Sequence, residues 1–180
     1  MRPAAAFLTL AMALICTGQA PIPPAPTMAT QNVRPDGAVI AKIESGFENR
    51  LRGLDSSEPF VLLGATSGVY VGGYGVVFTT PLDLATTPQT SPFQPVIPKA
   101  QAAVVHQRKL AHLPLLRKAM ADTVAAAANQ LKTLAPGEKI VFAVRVFYLD
   151  WEDRTGLPSQ IVASADRESA LAGKIQMDEQ

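Results

Sequence analysis

The chain has 180 residues, of which 48% are hydrophobic, and its 16 basic and 15 acidic side chains give a formal net charge of +1. This length allows one domain with a substantial core, and the charge balance gives no indication of a nucleic-acid partner. The single cysteine, Cys16, excludes an internal disulfide, so the core alone must stabilise the domain.

Residues 1–20 have the composition of a secretory signal peptide. A cation at Arg2 precedes an apolar run that ends at Cys16, and small residues follow it. This run is shorter than the roughly 20 residues that span a bilayer, so the pattern favours a cleaved leader over a membrane anchor. We therefore expect export to the periplasm or the medium, with cleavage after Gly18 or Ala20.

Cys16 leaves open a second outcome, which is lipid modification of the cysteine. The residue before a lipid-modified cysteine is usually small, whereas Ile15 is bulky, so we favour the cleaved leader. Residues 21–35 contain five prolines and predict an extended linker, which leaves residues 36–180 as a single domain.

The domain is expected to begin with a helix that Asp36 caps. Apolar residues recur behind it at helical spacing, and Gly53 precedes a polar run that ends the helix. The predicted buried stripe consists of Ile40, Ile43, Phe47, Leu51 and Leu54.

Glycines dominate the segment GVYVGGYGVVF at residues 68–78, and they allow two interpretations. A phosphate-binding loop would require a following Lys-Ser or Lys-Thr pair, or a helix, and neither is present. The sequence after Gly75 is strand-like, so we predict a β-hairpin with a two-residue turn at Gly72 and Gly73. This turn places Val69 opposite Val76 and predicts a core side that includes both.

A proline-rich loop is expected at residues 85–98, followed by one long helix from Lys99 to about Leu134. Pro98 is suited to the start of this helix, whereas Pro114 is expected to kink or split it. Its predicted buried stripe consists of Leu113, Leu116, Met120, Val124, Ala127, Leu131 and Leu134.

The run KIVFAVRVFYLDW at residues 139–151 is apolar on both alternating sets except at Arg145. It predicts a central strand that is covered on both faces. Residues 160–165 predict a fourth strand, and Asp166 is suited to cap a short last helix that reaches Ile175. The predicted fold is therefore α+β, with the order α-β-β-α-β-β-α and a mainly antiparallel four-stranded sheet against one long kinked helix and two shorter helices.

Candidate catalytic residues are few, and none belongs to a recognised motif. His106 and Lys109 share the predicted buried stripe of the long helix, where an imidazole beside an ammonium is a candidate acid or base. A nearby loop would supply the carboxylates, which are Asp150, Glu152 and Asp153. The sequence indicates no cofactor and no metal site, because the two histidines lack zinc-ligand spacing.

Candidate binding residues lie in loops and at one strand end. Tyr148 and Trp151 follow the central strand, Phe93 lies in the proline-rich loop, and Arg145 is a candidate anchor for an anionic group. Aromatic residues beside polar loops are typical of recognition surfaces. Residues 99–118 are rich in cations and predict either a peripheral contact with an anionic surface or charge pairing within the molecule.

These features favour an exported, non-enzymatic module that binds an unknown protein or envelope component. We expect the loop from Trp151 to Ser159 and the loop around Phe93 to form its binding surface. Two alternatives stay open: a small hydrolase or transferase that uses His106 with a loop carboxylate, and an envelope protein that a lipid on Cys16 anchors.

Overall fold

A computed structural model describes residues 34–93 and 96–180 of the chain. The predicted leader, Cys16 and most of the predicted linker lie outside the described residues. Three helices and six strands follow one another in the described part, and their bounds are α1 Gly37–Gly53, β1 Val61–Leu62, β2 Ser67–Val71, β3 Gly75–Asp83, α2 Lys99–Gln130, β4 Lys139–Val146, β5 Gln160–Asp166, α3 Arg167–Leu171 and β6 Gln176–Glu179.

The six strands of the described residues form one mixed sheet. Five of them follow the order β1-β3-β4-β5-β6, and β2 is the sixth. Strand β2 pairs with β3 on the edge that β1 also uses, and these pairs are antiparallel. Strands β3 and β4 are parallel, because the long helix α2 carries the chain back before β4 begins. The α+β class is confirmed, but the prediction of a four-stranded, mainly antiparallel sheet was wrong in strand number and in this central pair.

The two additional strands escaped prediction because each is short. Strand β1 has two residues, which is too few to show an alternating pattern. Strand β6 has four residues and follows directly after the predicted end of the last helix at Ile175, where no strand was expected; the helix itself ends earlier, at Leu171. Their pairing with β3 and β5 defines these two strands, and their own sequences do not predict them.

The glycine-rich segment is a β-hairpin, as predicted, but its turn is one residue longer than expected. The Tyr74 amide donates to the carbonyl of Val71 at 3.0 Å, and Gly73 has a φ of 78°, which is the conformation that a type II turn requires at this position. Val69 therefore pairs with Val77 rather than Val76. Because a shift of one residue exchanges the faces of a strand, Val69 and Val71 are exposed instead of lying on the core side.

Gly75 is required for the central parallel pair to form. Its φ is 130°, and a Cβ atom built on it would lie 1.9 Å from the carbonyl oxygen of Lys139. The neighbouring Tyr74 carbonyl accepts a hydrogen bond from the Lys139 amide at 2.7 Å. The first residue of β4 thus lies so close to Gly75 that a residue with a side chain could not replace this glycine without a clash.

Helix α1 covers the outer edge of β2 with two carboxylates. Glu48 accepts a hydrogen bond from the Thr66 amide at 2.7 Å, and Glu44 accepts one from the Gly68 amide at 2.6 Å. A Cβ on Gly68 would lie 2.7 Å from the Cγ2 atom of Ile40, so this glycine allows the helix to approach. The edge that would otherwise be open to another strand is thereby satisfied within the chain.

The helices pack on one face of the sheet and form a single core. Phe142 of β4 stacks on Phe78 of β3 with ring centroids 4.4 Å apart, and Phe47 of α1 meets it edge-on at 5.2 Å. The Asp36 cap is confirmed by its hydrogen bond from the Ala38 amide at 3.0 Å. The predicted buried stripe of the long helix is confirmed for the members that α2 contains, which are Leu113, Leu116, Met120, Val124 and Ala127. The helix ends at Gln130 rather than at about Leu134, and Leu131 and Leu134 are buried in the segment after it.

The opposite face of the sheet carries no helix of the described residues. Arg145 is exposed there, and its guanidinium carbon lies 5.5 Å from the centroid of the Phe147 ring. The expectation that β4 is covered on both faces, with Arg145 buried, was therefore wrong. Apolar residues on both faces do not distinguish a strand covered twice from one that exposes an apolar outer face.

Helix α2 continues through Pro114 without interruption, so the expected split does not occur. Its packing against the sheet supplies more stabilisation than the proline removes. In residues 34–93 and 96–180, no helix combines the length and the apolar composition that a membrane span requires.

We expect Gly75→Ala to lower the free energy of unfolding by about 3 kcal/mol or more, because it combines a strained φ with a backbone clash. Gly72→Ala is the matched control, since Gly72 has open space around it and no positive φ, and its effect should stay within about 0.5 kcal/mol. Urea unfolding measures both values. Equal unfolding midpoints for the two variants would contradict this role of Gly75.

Candidate functional site

A buried ammonium group lies at the end of the parallel strand pair. Lys109 of α2 is 0% exposed, and its Nζ atom lies 2.7 Å from Asp83 Oδ1 and 2.5 Å from Glu152 Oε2. Asp83 is the last residue of β3, and Glu152 belongs to the loop after β4. One cation thus joins a helix, a strand end and a loop.

Each carboxylate of this cluster has further partners. Asp83 Oδ2 accepts a hydrogen bond from Thr87 Oγ1 at 2.9 Å, and Glu152 Oε1 accepts one from the Leu149 amide at 2.9 Å. Buried charges require such additional hydrogen bonds, because the attraction between the ions alone does not replace their lost hydration. We refer to Asp83, Lys109 and Glu152 as the ion triad, and its formal charge is one negative unit.

Tyr148 packs against the ion triad with its ring face. The Lys109 ammonium lies 4.9 Å from the ring centroid, which is a favourable cation–π distance. The phenol donates a hydrogen bond to the carbonyl of Pro158 at 2.7 Å. Burial raises the pKa of Tyr148 well above its ordinary value, and the negative charges of Glu152 and Asp83 raise it further.

A cavity of about 340 Å³ opens beside the ion triad. We call it the Asp83 pocket. It lies at the carboxyl ends of β3 and β4, which is the edge of a parallel pair where ligands commonly bind. Its described lining residues are Val61, Leu63, Asp83, Thr86, Thr87, Gln89, Phe147, Tyr148 and Leu149.

The predicted catalytic residues of α2 contact one loop but have different partners there. Lys109 meets Glu152, as described, but the Nδ1 atom of His106 lies 2.9 Å from the carbonyl oxygen of Asp153 and therefore donates to the main chain. The Asp153 carboxylate accepts two hydrogen bonds from Thr155, and these lower its pKa. Asp150 is exposed. His106 and Lys109 thus contact adjacent residues of one loop, His106 through a main-chain carbonyl and Lys109 through a carboxylate.

The predicted binding residues also lie apart. Phe93 is 99% exposed, so its ring packs against no other part of the described chain, including Trp151. Trp151 is half-buried, and its buried Nε1 atom has no hydrogen-bond partner among the described residues. Arg145 is on the outer face of the sheet. Of the four residues, Tyr148 alone lines the Asp83 pocket in the described part of the chain.

Several cations of residues 99–118 pair with acids of the same molecule. Arg108 lies 3.0 Å from Glu58, and Lys118 lies 2.8 Å from Asp122. Arg117 forms a two-pronged contact with Glu179 that joins α2 to β6. This distribution supports the interpretation of charge pairing within the molecule, and a contact with an anionic surface stays a prediction.

Asp83, which is partly buried, and His112, which is buried, are two polar residues near the pocket or the long helix that sequence reasoning did not assign to a site. Asp83 is the last residue of β3 and thus lies at the carboxyl end of a parallel strand pair, where ligands commonly bind. Its position could indicate a site only if the parallel pairing of β3 and β4 were already known. His112 is buried, and its Nδ1 atom lies 2.5 Å from the Leu84 carbonyl oxygen. Its ring also packs on Phe60, which indicates a structural role.

In residues 34–93 and 96–180, no group of three histidine, cysteine, aspartate or glutamate side chains is placed to hold a metal ion. Comparison with protein-family models, with curated proteins and with solved structures finds no match to this chain. A function for this chain can therefore be inferred only from the geometry of the Asp83 pocket and the ion triad.

The raised pKa of Tyr148 predicts a stability loss at alkaline pH. Above about pH 10 the unfolded tyrosine ionises while the folded one retains its proton, so the unfolded state binds fewer protons and stability falls as pH rises. In Tyr148→Phe this contribution is absent. We expect the free energy of unfolding to fall less steeply in this variant, by up to about 1.4 kcal/mol per pH unit.

Urea unfolding at several pH values between about 9 and 12 measures this slope. Tyr74→Phe is the matched control, because the Tyr74 side chain is 47% exposed, and it should keep the slope of the unchanged protein. An unchanged slope in Tyr148→Phe would show that Tyr148 ionises as freely in the folded state as in the unfolded state.

Proposed function

We propose that this chain is an exported, non-enzymatic binding module that receives its ligand in the Asp83 pocket. The observation that carries the proposal is a cavity whose lining includes the Asp83 carboxylate, which Lys109 and Thr87 hold in a fixed position. Its volume falls within the range of about 300–1,000 Å³ that is typical of ligand sites. Aromatic and aliphatic side chains line the cavity together with Asp83. Lys109, the central member of the ion triad, contacts the Asp83 carboxylate.

The fixed geometry of the floor supports binding rather than turnover. Asp83 has hydrogen-bonding or ionic partners at both oxygens, and Lys109 has no exposed surface. Lys109 is also absent from the described lining of the pocket. Because His106 donates to a main-chain carbonyl, the pair of groups that a hydrolase or transferase would need is not assembled at this pocket.

Export and anchoring are separate parts of the proposal, because they rest on residues 1–20. The composition of this segment supports a cleaved leader, and Ile15 before Cys16 argues against a lipid-modified cysteine. The mass of the mature N-terminus distinguishes the two outcomes, since a lipid would add to a chain that begins at Cys16.

Ligand-observed NMR with a fragment library tests binding at the Asp83 pocket. We expect fragments that bind the unchanged protein to lose their signal with Leu63→Trp. Leu63 lines the pocket and its side chain is 50% exposed, so an indole there narrows the opening at little cost in stability.

Val69→Trp is the matched control for this experiment. Val69 is also an exposed aliphatic residue, at 57% exposure, but it lies on β2 and outside the lining of the pocket. Fragment binding should persist in Val69→Trp. Binding that persists equally in Leu63→Trp, or a library without any hit, would contradict the proposal.

A further inference from the structure

We propose that the Asp83 pocket recognises an alkylammonium group, which means a protonated primary amine attached to an apolar chain. This inference rests on the proposed function and adds the chemical class of the ligand. Three features of the pocket lead to it, namely its net charge, the remaining acceptor capacity of Asp83 and the composition of its walls.

The charge at the floor of the pocket is negative. Asp83 and Glu152 carry two negative charges and Lys109 carries one positive charge, so the ion triad has a formal excess of one negative unit. Of the described lining residues, Asp83 alone has a side chain with a formal charge. Lys109 has no exposed surface, so an anionic ligand would find no cation among the described lining residues of the pocket.

Asp83 keeps the capacity to accept one more hydrogen bond. A carboxylate has about four acceptor positions. Lys109 and Thr87 use two of them, and the Ala85 amide approaches a third at 3.4 Å. The side chain is 14% exposed, so an accessible part of this group is open to a donor. An ammonium group donates in this position and compensates the net charge at the same time.

The walls suit the remaining parts of such a ligand. Phe147 and Tyr148 add aromatic surface to the lining of the pocket. Val61, Leu63 and Leu149 provide aliphatic surface for an alkyl chain. An amine with an apolar body therefore matches both parts of the pocket, whereas a purely polar cation would leave the aliphatic wall in water.

Titration calorimetry or protein-observed NMR with three probes of the same chain length tests this inference. The probes are n-hexylammonium, 1-hexanol and hexanoate at neutral pH, where a primary amine is protonated. We expect n-hexylammonium to bind at least about tenfold more tightly than 1-hexanol, and hexanoate to show no binding at the same concentrations.

Leu63→Lys places a competing ammonium at the pocket and provides a second readout. It should weaken the binding of n-hexylammonium about tenfold through repulsion and occupancy of the site. Val69→Lys adds the same charge on the neighbouring strand, outside the pocket, and should leave the affinity nearly unchanged. Loss of binding in both variants, or in neither, would overturn the proposed site.

The peptide acetyl-glycyl-lysyl-glycinamide distinguishes two sources of the same group. Binding of this peptide supports a lysine side chain of a partner protein as the ligand, and binding of n-hexylammonium alone supports a free amine. Equal affinity for 1-hexanol and n-hexylammonium would overturn the ligand class while leaving the fragment result, and with it the proposed function, intact. Preference for hexanoate would also overturn it.

Discussion

The buried ammonium of Lys109 is the constraint on which the arrangement of the site depends. An unpaired ammonium in this position would have lost its hydration without compensation, which costs several kcal/mol and thus a large part of the net stability of a domain. The chain must therefore bring Asp83 and Glu152 to it. These residues come from the end of β3 and from the loop after β4, so the pairing fixes how α2 lies across the parallel strands.

This constraint also explains the character of the pocket. The triad holds Asp83 rigidly and leaves one negative unit of charge beside an apolar wall. Rigid, partly buried polar groups favour recognition, because little conformational entropy is lost when a ligand binds. Lys109, a catalytic candidate in the sequence, has no exposed surface and belongs to the framework that holds Asp83.

The parts of the fold that depend on local sequence could be predicted, and the parts that depend on distant partners could not. The stripes of α1 and α2 follow from helical periodicity, and the Asp36 cap follows from its side chain. The parallel pairing of β3 and β4 leaves no trace in either strand. The hairpin was predicted, but whether Tyr74 belongs to the turn depends on the backbone of β4, which approaches Gly75.

The candidate site shows the same division. Lys109, Glu152 and Tyr148 stood out in the sequence as a cation on a buried stripe, a loop carboxylate and a strand-end aromatic. Asp83 did not, because its importance comes from a contact between residues far apart in the chain. The exposure of Arg145 was not predicted, for a related reason. An apolar strand with one arginine looks the same whether helices cover one face of the sheet or both.

The free energy of unfolding of Lys109→Met tests most directly whether the ion triad organises this end of the domain. Methionine keeps most of the length of lysine without its charge and leaves two buried carboxylates unpaired, so we predict a loss of about 3–5 kcal/mol. Adding Asp83→Asn and Glu152→Gln to this variant should restore part of the loss. Lys118→Met, at a side chain 74% exposed beside Asp122, should cost about 0.5 kcal/mol or less. A loss for Lys109→Met as small as that of Lys118→Met would contradict the account.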